Sequence, residues 1–433
     1  MKVSKIALGV ALAFGGGSLV AVDVANAQIP GRQQRERQRQ QTQQQQPAQA
    51  QAQNGQRQMN LSREERAALL PVQTAIEAQD WATAQTALAA AQPAMQGADG
   101  RYMLAAMQLR LGVGMQNQQI QAQAIDAMIA SGAAPAEQLV ELLNNQGALA
   151  AQARDLPKAE AAYARVVELR PNDPTALARL AEVKHSLNKG NEAVALLDRA
   201  IEAMRATGQQ VPENWYKRGL KIAYDGRLTP QAVGFARALV AAYPTQENWR
   251  DALIIYRDSA QLDRAAALDL MRLQRTARAL AGERDFFEMA EMLNAAGLPG
   301  EANAVLEAGV QNRMIDGNRP AFRDLRASIQ GRLAGDRASL AQQERQALAG
   351  ANGTLALNIG DAYYGYGDYA KAVTLYRAAL EKGGVDANLV NTRLGMALAQ
   401  SGQRAEAETA FRAVTGPRQA LANFWLTWLA QQG

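Results

Sequence analysis

The chain has 433 residues, with 46 Lys and Arg against 41 Asp and Glu, no cysteine and a single histidine. A Cys/His metal site, a catalytic cysteine and a disulfide framework are therefore excluded, and a Ser-His-Asp triad would have to use His185. The formal charge of +5 raises nucleic acid or an anionic membrane as partners, a reading that depends on where the charge lies.

In chain order, Met1–Ala27 reads as a secretory signal peptide. Lys2 and Lys5 precede an apolar run from Ile6 to Val22, and Ala25-Asn26-Ala27 is a small-x-small site that predicts cleavage after Ala27. The run is short for a membrane span, carries three consecutive glycines and is closed by Asp23, so no transmembrane segment is expected in the mature chain. The expected address is a bacterial periplasm or the cell exterior. Residues 28–60 read as a disordered linker: Gln28 to Gln58 holds 15 Gln, five Arg and one acid, with almost nothing apolar to offset the entropy of ordering. The Arg32–Arg39 cluster could touch anionic lipid, cell wall or an acidic partner. The signal carries a net +1 and the Gln-rich stretch +4, which leaves residues 59–433 formally neutral. A basic field for nucleic acid is not expected.

Residues 61–433 read as one helical repeat domain. Apolar residues recur at helical spacing, in runs separated by Gly, Asp, Asn or Pro, and no strand alternation appears. Ile359-Gly360 and Tyr363 lead into a Gly367-Asp368 turn, followed by Ala372, Tyr376 and Ala379. Gly147, Ala159, Tyr163 and Pro171 form a similar set, as do Gly395, Gly402, Ala407 and Phe411. Ala159 and Ala193 are 34 residues apart, and Glu213-Asn214-Trp215 returns 34 residues later as Glu247-Asn248-Trp249. A small residue lets two helices approach closely, and the aromatics fill the seam between them.

These motifs resemble the tetratricopeptide repeat (TPR) family, over most of residues 65–420. The register is 65–98, 99–132, 140–173, 174–207, 213–246, 247–280, 283–316, 321–352, 353–386 and 388–420, ten helical hairpins, with a closing helix near Arg418–Gln431. The resemblance implies an all-α, right-handed α-solenoid whose first helices line a concave face that binds a peptide or partner protein. Some members clamp a carboxylate there with Lys, Asn and Arg, and Asn144, Arg179, Lys217, Arg218 and Lys221 are the nearest equivalents in this chain. Tyr364 is a further groove candidate, and Tyr364 with Tyr224 would serve a glycan. Trp425 and Trp428 on the closing helix predict either a cap on the last repeat or a self-association surface.

Catalysis is not expected. Ser186-Leu187-Asn188-Lys189 matches S-x-x-K, but the S-D-N and K-T-G partners are missing, and Gly365-Tyr366-Gly367 reads as a repeat turn. No catalytic residue, metal or cofactor is expected. The expected function is a non-enzymatic interaction scaffold of the cell envelope, serving secretion, polysaccharide export or outer-membrane assembly. The alternative expectation is a glycan- or cell-wall-binding protein.

Overall fold

Nine of the helices start where a polar side chain satisfies the first free backbone N–H groups. Ser62 Oγ accepts from the Glu65 amide at 3.0 Å, and Glu65 Oε2 accepts from the Ser62 amide at 2.8 Å, a reciprocal cap that opens α1 (Arg63–Glu77). Asp80, Asp155 and Asp368 cap second helices of hairpins, while Asp173 and Asp386 cap first helices. The computed structural model describes residues 59–432. Among them are twenty α-helices, two short 3-10 turns and no strand. The expected signal at Met1–Ala27, the cleavage after Ala27 and the Gln/Arg-rich stretch through Gln58 lie outside the described residues. No helix among those described is long and apolar enough to cross a membrane.

Eighteen of the helices pair as nine hairpins. They are α1 with α2 (Trp81–Ala91), α3 (Ala98–Gly114) with α4 (Gln118–Ala130), and α5 (Ala136–Gln152) with α6 (Leu156–Leu169). Next come α7 (Pro174–Ser186) with α8 (Gly190–Ala206), α9 (Glu213–Asp225) with α10 (Thr229–Ala242), and α11 (Gln246–Ser259) with α12 (Arg264–Thr276). Then α13 (Gly282–Ala295) pairs with α14 (Pro299–Gln311); after α15 (Pro320–Ala349), α16 (Thr354–Gly365) pairs with α17 (Tyr369–Lys382) and α18 (Ala387–Gln400) with α19 (Arg404–Arg412). The chain ends on α20 (Gln419–Ala430). The architecture is the expected all-α repeat solenoid.

Four hairpins share one packing device. A glycine on the first helix faces an aromatic ring 16 residues later: Gly147 under Tyr163, Gly219 under Phe235, Gly360 under Tyr376 and Gly395 under Phe411. A Cβ at these glycines would lie only 2.7, 2.3, 2.8 and 2.6 Å from the ring. The small residue is therefore required for the helices to close.

The expected hairpin at 321–352 is not formed. Residues 320–349 make a single 30-residue helix, α15. Eight of the nine hairpins turn through a left-handed residue, at Gln79, Gln116, Arg154, Asn188, Arg227, Gly297, Gly367 and Gly402, with φ between 51° and 80°. Gly331 and Gly335 take no such conformation. A glycine inside a helix costs only about 1 kcal/mol relative to alanine, too little to break a run of Ala, Arg, Gln and Leu. Asp336 does not cap a new helix; it accepts the Tyr366 hydroxyl at 2.6 Å.

The array also folds back on itself. As expected of a cap, α20 packs on the last hairpin, with Trp425 stacked on Phe411 at 5.7 Å. The same helix lies against α10, α11 and α12. Phe424 meets Tyr256 at 5.4 Å and Trp249 at 6.3 Å. Gln431 accepts from the Trp249 indole at 3.2 Å and donates to the Val240 carbonyl at 2.8 Å. One hydrophobic core thus runs through residues 177–279 and 340–429. Trp425 is 0 % exposed inside its own chain, and Trp428 beside it is half-buried.

Candidate functional site

On the first helices of hairpins three to five, Asn144 lies on α5, Arg179 on α7, and Lys217, Arg218 and Lys221 on α9. Arg179 donates to Asn144 Oδ1 at 3.0 Å and lies over the Tyr163 ring at 6.0 Å. Arg218 pairs with Glu182 at 2.7 Å, Lys217 with Glu213 at 3.1 Å and Lys221 with Asp225 at 2.7 Å. The structure thus joins Asn144 to Arg179, and links α7 to α9 through Glu182 and Arg218. Each of the three cations at 217, 218 and 221 already has an acidic partner. These pairs are exposed, so each contributes no more than about 1 kcal/mol and opens readily.

Tyr364 does not line that stretch. It is 7 % exposed, packed against Arg272 at 5.0 Å and edge-on to Tyr369 at 5.3 Å. Burial pushes its hydroxyl pKa well up. Tyr224, the other stacking candidate, is 41 % exposed. Ser186 donates to the Glu182 carbonyl, and Lys189 pairs with Glu160 at 2.8 Å, so neither is set against the other. Among the described residues no cluster of three or more acidic or histidine ligands gathers to hold a metal.

Tyr364 belongs to a second place, formed where the array closes. Six charged residues meet there almost out of reach of water: Asp269, Arg272, Glu301, Asp361, Arg393 and Arg418. Arg272 holds both Glu301 oxygens, at 3.0 and 2.6 Å, and Asp269 at 3.0 Å. Asp269 also receives Arg393 at 3.1 Å and Arg418 at 2.9 Å. Arg393 reaches Asp361, which takes the Tyr376 hydroxyl at 2.7 Å. Burial works against the Arg272 charge, but Glu301, Asp269 and Asp361 outweigh it and hold its pKa above the ordinary arginine value. Burial raises the Asp361 pKa, against the pull of Arg393 and Arg272. Three cations and three carboxylates balance, so the cluster joins α12, α14, α16, α18 and the start of α20 without a net buried charge.

Beside this network opens a cleft of about 750 Å³. Its lining comes from α12, α14, the α16–α17 turn, α18 and α20. Arg275 is half-buried and Arg278 exposed, and neither has a carboxylate partner among the described residues. The only acid lining the cleft is Glu301, which Arg272 already neutralises. The cleft is therefore cationic within a neutral domain. The spacing of Arg272, Arg275 and Arg278 at every third residue is the sequence signal for it.

No family model and no curated protein sequence matches the chain. Solved structures similar to it include a tetratricopeptide repeat protein from Parabacteroides merdae, at 13 % identity and a TM-score of 0.25, covering 67 % of this chain and 99 % of that one. PilF of Pseudomonas aeruginosa is 14 % identical with a TM-score of 0.25, covering 61 % and 97 %. The TPR2AB domain of yeast Sti1, in a pHSP90 complex, is 15 % identical with a TM-score of 0.24, covering 68 % and 96 %. Likeness at this level bears on neither partner nor activity. By its own hairpins, with their glycine-under-aromatic seams, the chain is an all-α helical repeat solenoid.

Proposed function

We propose that the protein is a non-enzymatic interaction scaffold of the bacterial cell envelope, exported by its first 27 residues, which binds a peptide or partner protein along the first-helix face of hairpins three to five. One observation carries the reading: the Asn144–Arg179 and Glu182–Arg218 contacts run from hairpin to hairpin on exposed side chains. Lys217 and Lys221 extend that row by a helical turn. An acidic segment can take over these cations by displacing weakly held partners, at little cost. The TPR resemblance implies that such first-helix residues line the concave side of a superhelix, which supports the reading. The export signal supports a periplasmic address and a role in secretion, polysaccharide export or outer-membrane assembly.

Crosslinking in cells, followed by recovery of the tagged protein, tests this. Lys217→Glu combined with Lys221→Glu is expected to weaken recovery of the crosslinked partner at least tenfold, with the mature protein starting at Gln28. An unchanged partner profile in the double variant contradicts the reading.

A further inference from the structure

We propose that the cleft beside the buried ion network is a binding site for a short acidic saccharide, with the sugar carboxylate held by Arg275 and Arg278. A cleft of about 750 Å³ is the size of a small-ligand site and accommodates a few sugar rings. Its lining contains no Leu, Ile, Val, Met or Phe. All its large apolar surface comes from Tyr and Trp rings, of which Tyr369 and Trp428 are half-buried and reach the cleft. The aliphatic side chains of a partner peptide would find no aliphatic pocket in this lining. A sugar instead presents flat C–H faces to aromatic rings and a rim of hydroxyls to hydrogen-bonding groups. The rim is supplied here by amides: Gln400 donates to Thr276 Oγ1 at 3.3 Å and Gln432 to the Trp428 carbonyl at 3.4 Å, and each keeps its side-chain oxygen for a hydroxyl.

The charge selects among sugars. Two guanidinium groups without carboxylate partners suit the planar, two-oxygen geometry of a carboxylate. The cleft floor is rigid, because Arg272, Glu301 and Tyr364 are locked by the ion network. The site lies on other helices than the row from Asn144 to Lys221, so it stands or falls separately from partner binding there.

Calorimetric titration of the full chain with trigalacturonate tests the assignment, with neutral galactotriose, triglutamate and inorganic phosphate as comparators. Trigalacturonate is expected to bind at least tenfold more tightly than each comparator. Arg275→Ala with Arg278→Ala is expected to weaken it at least tenfold at an unchanged melting temperature, and Tyr369→Leu several-fold. Lys217→Glu with Lys221→Glu is expected to leave it unaltered. Equal affinity for galactotriose, triglutamate binding as tightly, phosphate binding as tightly, or wild-type affinity in the arginine double variant would each overturn the proposal.

Discussion

Residues 63–225 and residues 229–430 use the same hairpin in two different ways. In the first region each hairpin meets its neighbours in sequence, and charged side chains pair at the surface, as Arg218 does with Glu182. Stability there is a sum of local terms. In the second region helices far apart in sequence meet, and the charges that join them are buried, Asp269 with Arg393 and Arg418 across 124 and 149 residues. A repeat array that stacks only on its neighbours stays open to partners. One that closes buries side chains between distant helices and keeps a cleft beside the network.

The contrast can be broken most forcefully at Asp269. Asp269→Ala leaves three arginines short of their shared carboxylate, and removing one member of a buried ion set costs about 3–5 kcal/mol. Amide hydrogen exchange is expected to accelerate throughout 246–430 and to stay unchanged in 63–170. Trp425→Ala is expected to cost a similar amount, about 3–5 kcal/mol, and to loosen 229–256 as well as the last hairpin, read in the same experiment. Gly219→Ala sharpens the local side of the comparison. Its Cβ would lie 2.3 Å from the Phe235 ring, and the overpacking is expected to cost about 1–3 kcal/mol in a denaturant titration, confined to one hairpin and its neighbours.

A smaller effect is expected at the first cap. Hydrogen bonds from the Ser62 and Gly97 amides hold the Glu65 carboxyl below the usual glutamate range. A depressed carboxylate pKa stabilises the fold above the unfolded value of about 4.5 and ceases to do so as pH falls through the lower folded value. Exchange in 63–77 is therefore expected to rise on acidification below that value, and Ser62→Ala to cost about 1 kcal/mol. The smallest change is expected for Arg218→Ala. An exposed pair is worth at most about 1 kcal/mol, so its melting temperature is expected to stay close to wild type, in contrast to Asp269→Ala.

The hairpins were legible in the sequence because they are local. Gly360 and Tyr376 or Gly395 and Phe411 lie 16 residues apart, and the period repeats the pair along the chain. The single helix at 320–349 was not, because a Gly-Asp dipeptide marks a turn only when the glycine leaves the helix, and Gly335 does not. The closure was hidden for a different reason. Asp269, Asp361 and Arg393 read as ordinary charged helix residues until the fold brings them together, and Trp425 and Phe424 read as the apolar side of a cap whether the closing helix covers one hairpin or three. Asn144, Arg179, Lys217, Arg218 and Lys221 fall on the expected helices, whereas Tyr364 is part of the closed region.

Closure of the second region is the central claim, and a distance between its two seams tests it most directly. The native chain has no cysteine, so Ala241→Cys and Gln432→Cys, both at exposed positions, give a unique pair of spin labels. Electron double resonance on the full chain is expected to give one short, narrow distance that broadens when Asp269→Ala is added. A long or broad distance in the otherwise native chain, or one indifferent to Asp269→Ala, would contradict the account.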